Sequence, residues 1–179
     1  WFEYQPVWRT EGDRIHRRLR WGRLLDLTLL DSRQYRDPPV NGPDGRPTKF
    51  GSTASGPLRG NHAPERTLLG AAQRDWFLDG LGAAEGDGVR WKLVGNQVMI
   101  SPIRAVDLYT PALRAIEPYL PKHAGVYVNF DDWSGFMAER DRVTEWLGAQ
   151  RISNVGFLTG DIHSFWQSEL KADYDDARS

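Results

Sequence analysis

Near its C-terminal end the chain carries Val155-Gly156-Phe157-Leu158-Thr159, a short apolar run that stops at Gly160 and is followed by Asp161, one spacer and His163. An apolar run of this length reads as a buried strand. A glycine at its end permits a positive φ or a close backbone approach. The pattern predicts Asp161 and His163 just past the C-terminal end of a strand, the edge at which open α/β sheets bind ligands. On extended chain, residues i and i+2 point to one side, so the two side chains are expected to converge. A carboxylate and an imidazole make a usable pair of metal ligands. The same tripeptide also suits an ordinary turn, with Asp161 as turn former and His163 merely hydrogen-bonded.

The rest of the chain surrounds this run with α/β alternation. Residues 9–20 are charged without a clean period, and Trp21 to Asp31 reads as a strand in which Leu25, Leu27 and Leu29 alternate with Asp26, Thr28 and Leu30. It ends in Asp31-Ser32-Arg33-Gln34-Tyr35-Arg36. Arg33 and Arg36 can fork onto phosphate oxygens, or pair with Asp31 or Asp37 in a solvated turn. Residues 37–66 form a long loop in which eleven of thirty residues are Gly or Pro. Loops of that length in a compact domain are functional or mobile, and Lys49, Arg59, Asn61 and His62 lie in it.

A helix is expected from Thr67 to about Leu81, with Leu69, Ala72, Trp76 and Phe77 on its apolar face and Gly80, Gly82, Gly86 and Gly88 ending it. Trp91 to Ile100 reads as a second strand, its polar Asn96 and Gln97 marking a bulge or a site-facing position. Residues 103–122 read as loop with a helical turn or two, and Val126 to Phe130 as a short strand. Asp131 to Gly135 is a turn before a helix from Phe136 to Gly148, whose stripe of Phe136, Val143 and Leu147 also carries Arg140. A charge facing inward needs a partner, and Asp131 or Asp132 is the expected one. Ser164 to Leu170 suits a strand or a helix start, and the charged tail from Lys171 is expected to fray. Three polar clusters, at Asp31–Arg36, Asn96–Ser101 and Asp161–Ser164, are placed to share one rim of an α/β fold.

Composition excludes several classes. A net charge of −1 gives no electrostatic footprint for nucleic acid. No apolar stretch is long enough for a membrane span, no signal peptide is visible, and the absence of cysteine removes disulfide and thiolate chemistry. Eight tryptophans are many for 179 residues, and some are expected to line a wide cleft. There is no Gly-rich phosphate loop and no nucleophile elbow. Trp1 to Trp8 reads like the middle of a fold, so the chain is expected to be a piece of a longer protein.

Together these blocks resemble the PhoD-like alkaline phosphatases and phosphodiesterases. Trp21-Gly22 with Leu29 to Arg36 is similar to the family's "WG…LLDTRQYR" segment, and Thr67 to Trp76 to its "LG-x-x-Q-x-x-W" helix. Trp91 to Val98 resembles its "W-K" strand, Asp131 to Phe136 with Glu139-Arg140 its "D-x-WDGY…ER" block, and Leu158 to Ser164 its "LTGD-x-HS" block. Glu3 to Val7 is similar to the approach to this region. The blocks occur in the family's order across nearly the whole chain.

The resemblance implies a calcineurin-like metallophosphatase, a four-layer α/β/β/α sandwich with calcium and iron between its sheets, hydrolysing phosphate monoesters or diesters. It implies export, to the cell exterior, the wall or the periplasm. It places Asp161 and His163 on the family's metal-binding positions, with Arg33 and Arg36 as candidate phosphate contacts. Ser134 and Phe136 depart from the usual Asp and Tyr. The family's "GD-x-x-Y" and "WDDHE" blocks lie upstream of residue 1, so residues 1–179 correspond to the C-terminal portion of the catalytic domain. Alone they are expected to be inactive and to need the N-terminal half. The alternatives are a non-catalytic binding fragment and a phospholipase D-like diesterase.

Overall fold

The computed structural model describes residues 12–42, 44–48, 51–52 and 57–176. The approach segment Glu3 to Val7 and the loop candidate Lys49 lie outside them. Two sheets and two helices organise the described residues. The main sheet has four strands in the order β1 (Arg17–Trp21), β2 (Leu25–Leu29), β4 (Trp91–Asn96), β7 (Val155–Thr159). The second has three, in the order β3 (Gly51–Ser52), β6 (Gly125–Tyr127), β5 (Arg104–Asp107).

In the main sheet β1 and β2 form an antiparallel hairpin, turning at Gly22 with φ 55°, while β2, β4 and β7 run parallel. Parallel strands need crossovers, which here contain helices α1 (Ala71–Gly86) and α2 (Met137–Ala149). Both helices cover the same face of the sheet. Phe77, Leu81, Val143 and Leu147 pack with Val94 and Leu30 in one core, with Phe157 of β7 against it. On that face β2 contributes Asp26 and Thr28, both buried. Asp26 pairs with Arg18 at 3.1 Å, and buried Lys92 of β4 pairs with Glu85 and donates to the carbonyls of Val89 and Ser153.

The opposite face is read from the register. Its rows run Trp21–Leu25–Trp91, then Leu19–Leu27–Leu93–Gly156, then Arg17–Leu29–Gly95–Leu158. No described element covers it, and the alternation seen in the sequence therefore places the leucines of β2 on the open side. In the described residues the main sheet carries a helix layer on one face only. The second sheet attaches through Tyr127, Phe130, Met137 and Leu58.

Several expectations are corrected. Residues 17–21 form β1 although they lack an apolar period, because an edge strand needs only backbone pairing on one side. β5 likewise lies inside the expected loop 103–122, alongside short 3-10 turns at Pro111–Leu113 and Glu117–Tyr119. α1 begins four residues later than expected and runs through Gly80 and Gly82. A Cβ on Gly80 would overlap the Arg18 guanidinium, which lies against the helix and donates to the Phe77 carbonyl. Ala72 is exposed and Gln73 is buried in its place. Ser164 to Leu170 is neither strand nor helix. The tail does not fray through Asp176: Asp175 is 9% exposed and bonds Arg104 and His123.

Candidate functional site

The parallel strands deliver three polar strand ends to one rim. After β2, the buried Asp31 builds the loop that follows: its Oδ1 accepts from the backbone N–H groups of Arg33 and Gln34, each at 3.0 Å. Gln73 of α1 clamps the same residue, accepting from its N–H at 2.7 Å and donating to its carbonyl at 2.9 Å. Gln97, just past β4, accepts from the N–H and hydroxyl of Ser32 and donates to the Leu30 carbonyl. Gln97 is thus a staple between the ends of β2 and β4. Asn96 donates to the Val98 carbonyl and faces the Trp133 indole.

These supports aim the arginines at acids from other elements. Arg33 donates through Nη1 to Asp131 Oδ2 at 2.9 Å and through Nη2 to Asp161 Oδ2 at 3.2 Å. Arg36 donates to Asp131 Oδ1 at 2.6 Å. Neither pairs with Asp31 or Asp37: Asp31 serves the backbone, and Asp37 accepts from Thr67 N–H. Partial burial pushes the Asp131 carboxyl up, but the hydrogen bonds from Arg33 and Arg36 outweigh it and hold the group below its ordinary value. Asp161 and His163 do not sit on extended chain. Both have positive φ, 70° and 56°, in a tight loop closed by Ile162 N–H to the Gly160 carbonyl at 2.8 Å. Non-glycine residues in that region are uncommon and mark turns or functional strain.

The loop still brings the pair together. Asp161, His163, Asp131, Asp132 and Asn129 line one cavity of about 280 Å³. Asp161 and His163 are exposed on it. Asp132 is buried, pushed up to about 7 by desolvation; its Oδ1 accepts from Ser134 N–H at 2.7 Å and its Oδ2 has no partner. Among the described residues no group of three or more His, Asp and Glu stands close enough to hold a metal ion.

Other candidates fall elsewhere. Arg140 is fully buried and bonds His123 and Asp141, not Asp131 or Asp132. Asn61 is buried and His62 packs against the His123 ring at 4.9 Å, away from the rim residues, while Arg59 is exposed. Of the tryptophans, Trp133 is core and Trp166 lines a neighbouring cavity of about 250 Å³. The rim residue that sequence reading did not single out is Asp131. Its signal was the Asp131-Asp132-Trp133 turn ahead of α2, read as a turn and as a structural partner for Arg140 and not as part of the site.

A sequence model of the family described as PhoD-like phosphatase matches residues 1–179. Alkaline phosphatase D of Bacillus subtilis (strain 168) is 28% identical over 165 residues, covering 92% of this chain and 24% of that protein. A solved structure titled "Structure of PhoD" matches with a TM-score of 0.64 at 27% identity, covering 90% of this chain and 27% of the other. The chain therefore spans about a quarter of the length of these relatives.

Proposed function

The chain belongs to the PhoD-like phosphatase family, and from that premise we propose that the longer protein hydrolyses phosphate monoesters or diesters at a metal centre to which Asp161 and His163 contribute. The observation that carries the proposal is the Arg33 guanidinium, which spans Asp131 and Asp161 at a rim that also holds His163. The same fork geometry fits two phosphate oxygens.

The donor chemistry fits the implied metals in part. A carboxylate such as Asp161 suits calcium, which takes about six to eight oxygen ligands, and the His163 imidazole suits a transition metal such as iron. Two such donors, with Asp131 beside them, leave the shells incomplete. The remaining ligands, the other layers of a four-layer sandwich and the completed catalytic domain are assigned to residues outside this chain, in the N-terminal portion. Residues 1–179 by themselves are accordingly assigned no turnover. When bound, the metals polarise the phosphoryl group and lower the pKa of an attacking water.

The residues of this chain orient and neutralise. Asp131 holds Arg33 and Arg36 at the rim, and the two guanidinium groups face the phosphate to stabilise charge on its oxygens. Asp31, Gln73 and Gln97 keep the arginine loop in register with the Asp161 loop. Export to the cell surface or periplasm belongs to the same proposal and rests on the family resemblance. No helix among the described residues is long and apolar enough to cross a membrane.

The test uses the full-length protein with Asp161→Asn. Metal content by plasma mass spectrometry and hydrolysis of p-nitrophenyl phosphate and its bis ester are expected to fall together, activity by more than about tenfold. Unchanged metal content would remove Asp161 from the centre.

A further inference from the structure

A second cavity, of about 250 Å³, adjoins the rim. Met99 lines both, and Thr159 in its wall leads directly into Gly160 and Asp161 of the rim cavity. Phe157, Trp166 and Gln167 also line it. Trp166 is 53% exposed, and its neighbour in sequence, Phe165, is 90% exposed. Large aromatic side chains left in water beside a cleft mark a contact surface. The Trp166 indole is held without being buried: its Nε1–H donates to the Ser164 hydroxyl at 2.7 Å. Ser164 directly follows His163 in the loop that carries Asp161. That bond fixes the ring relative to the proposed metal ligands and leaves it half in water.

We infer that Phe165 and Trp166 form the subsite for the alcohol portion of the phosphate ester and that the group they take is a planar aromatic ring, an assignment that rests on the proposed phosphoesterase activity and adds the substrate class it favours. With the phosphate at Arg33 and Arg36, the esterified group extends out of the rim cavity, and the space that continues past Met99 is the one Trp166 borders. A flat ring gains by stacking on an indole or phenyl face. A polyhydroxy alcohol instead needs donors and acceptors for its own hydroxyls, and loses affinity where they stay unpaired. Two of the hydroxyls in this wall are already engaged: those of Ser101 and Ser168 bond each other at 2.7 Å, and Ser101 also meets the Tyr174 hydroxyl at 3.1 Å. Met99, Phe157 and Leu170 add apolar wall. An aromatic leaving group therefore finds more to contact here than a polyol does.

The experiment measures kcat/KM of the full-length protein on p-nitrophenyl phosphate and on glycerol phosphate, and follows the ratio of the two in variants. Comparing each ratio with that of the unsubstituted protein cancels the different reactivity of the two leaving groups. Trp166→Ala and Phe165→Ala are each expected to lower the aryl-to-glycerol ratio by about threefold to tenfold. Trp166→Phe, which keeps a ring but loses the bond to Ser164, is expected to hold it within about twofold. Phe165 is so exposed that its variant keeps the test open should Trp166→Ala fail to fold. An unchanged ratio in the folded alanine variants overturns the inference. An equal fall on both esters also overturns it, because Trp166 then only supports the Asp161 loop. A ratio lost as fully in Trp166→Phe as in Trp166→Ala does the same, assigning the effect to the Ser164 bond. Absence of hydrolysis of either ester by the unsubstituted protein overturns the phosphoesterase reading and this one with it, so the two failures are told apart.

Discussion

Two clusters in this molecule are built from the same three side-chain types and behave in opposite ways. At the rim, Arg33, Arg36, Asp131, Asp161 and His163 meet in the open, with Arg33 at 38% and Asp161 at 51% exposure. Behind the second sheet, Arg104, His123, Arg140, Asp141 and Asp175 meet in the interior, with Arg104 at 4% and Arg140 at 0%. His123 lies between two carboxylates, 2.8 Å from Asp141 and 3.1 Å from Asp175, and Arg104 completes the chain at 2.5 Å from Asp175. The interior cluster ties three parts together: β5, α2 and the tail that follows the Asp161 loop. The difference shows that residue type does not make a site. A charge network sealed from solvent binds its own members and serves the fold, whereas one left half-open has donors to spare for a ligand.

The largest effect is expected where the sealed cluster is cut. In the full-length protein, Arg104→Ala removes one of the two basic partners of buried Asp175, donors to Tyr127 Oη and the Tyr174 carbonyl, and contacts with the Tyr109 and Tyr127 rings. Breaking a buried pair from one side costs about 3–5 kcal/mol. Thermal unfolding is expected to show that loss, with kcat/KM of the folded fraction unchanged. A fall in kcat/KM at unaltered stability would erase the distinction between the clusters.

A smaller effect with the opposite signature is expected at the rim. Arg33→Ala should lower kcat/KM by about tenfold to a thousandfold, or about 1.4 to 4 kcal/mol, while stability moves by less than about 1 kcal/mol, as for an exposed pair. If activity persists and the melting temperature drops instead, Arg33 is structural.

The smallest effect is the pH dependence contributed by the sealed cluster and by His62, which packs on it. Asp175 is desolvated, which pushes it up, but the His123 and Arg104 contacts lower it from 3.8 to about 2. Its contribution is therefore full above about pH 4 and fades as pH falls toward 2. His62 is lowered from 6.5 to about 4, first by burial and then by His123 and Arg59, so it stays neutral in the fold and stability declines as pH drops from 6.5 toward 4. His123 works the other way. Burial lowers it, but the bonds to Asp141 and Asp175 raise it overall, so its contribution is full below 6.5 and fades as pH rises through the raised value. Melting temperatures across this range should fall on the acid side, and Asp175→Asn should flatten the limb below pH 4. An identical acid limb in that variant would assign it to other groups.

The amino-acid sequence determined what local chemistry can determine. The apolar run ending at Thr159, the glycine after it, the α/β order and the stripe of Phe136, Val143 and Leu147 are legible because apolar spacing and backbone freedom act within a few residues, although β7 is an edge strand with no fully buried residue where a buried one was expected. The same apolar run placed Asp161 and His163 just past one strand end. Only the tertiary structure decided which face of β2 the helices cover, because alternation marks two faces without saying which is inside; Asp26 and Thr28 lie under helix, and Leu27 does not. Edge strands β1 and β5 were hidden because hydrogen bonds to one neighbour hold them without an apolar period. Asp131 joined the rim, and Arg140 left it for His123, through pairings 98 and 17 residues apart in sequence, as for Arg33–Asp131 and Arg140–His123. Polar contacts of that range follow from where the backbone carries each group and how much water remains there, and neither quantity is a property of the neighbouring residues.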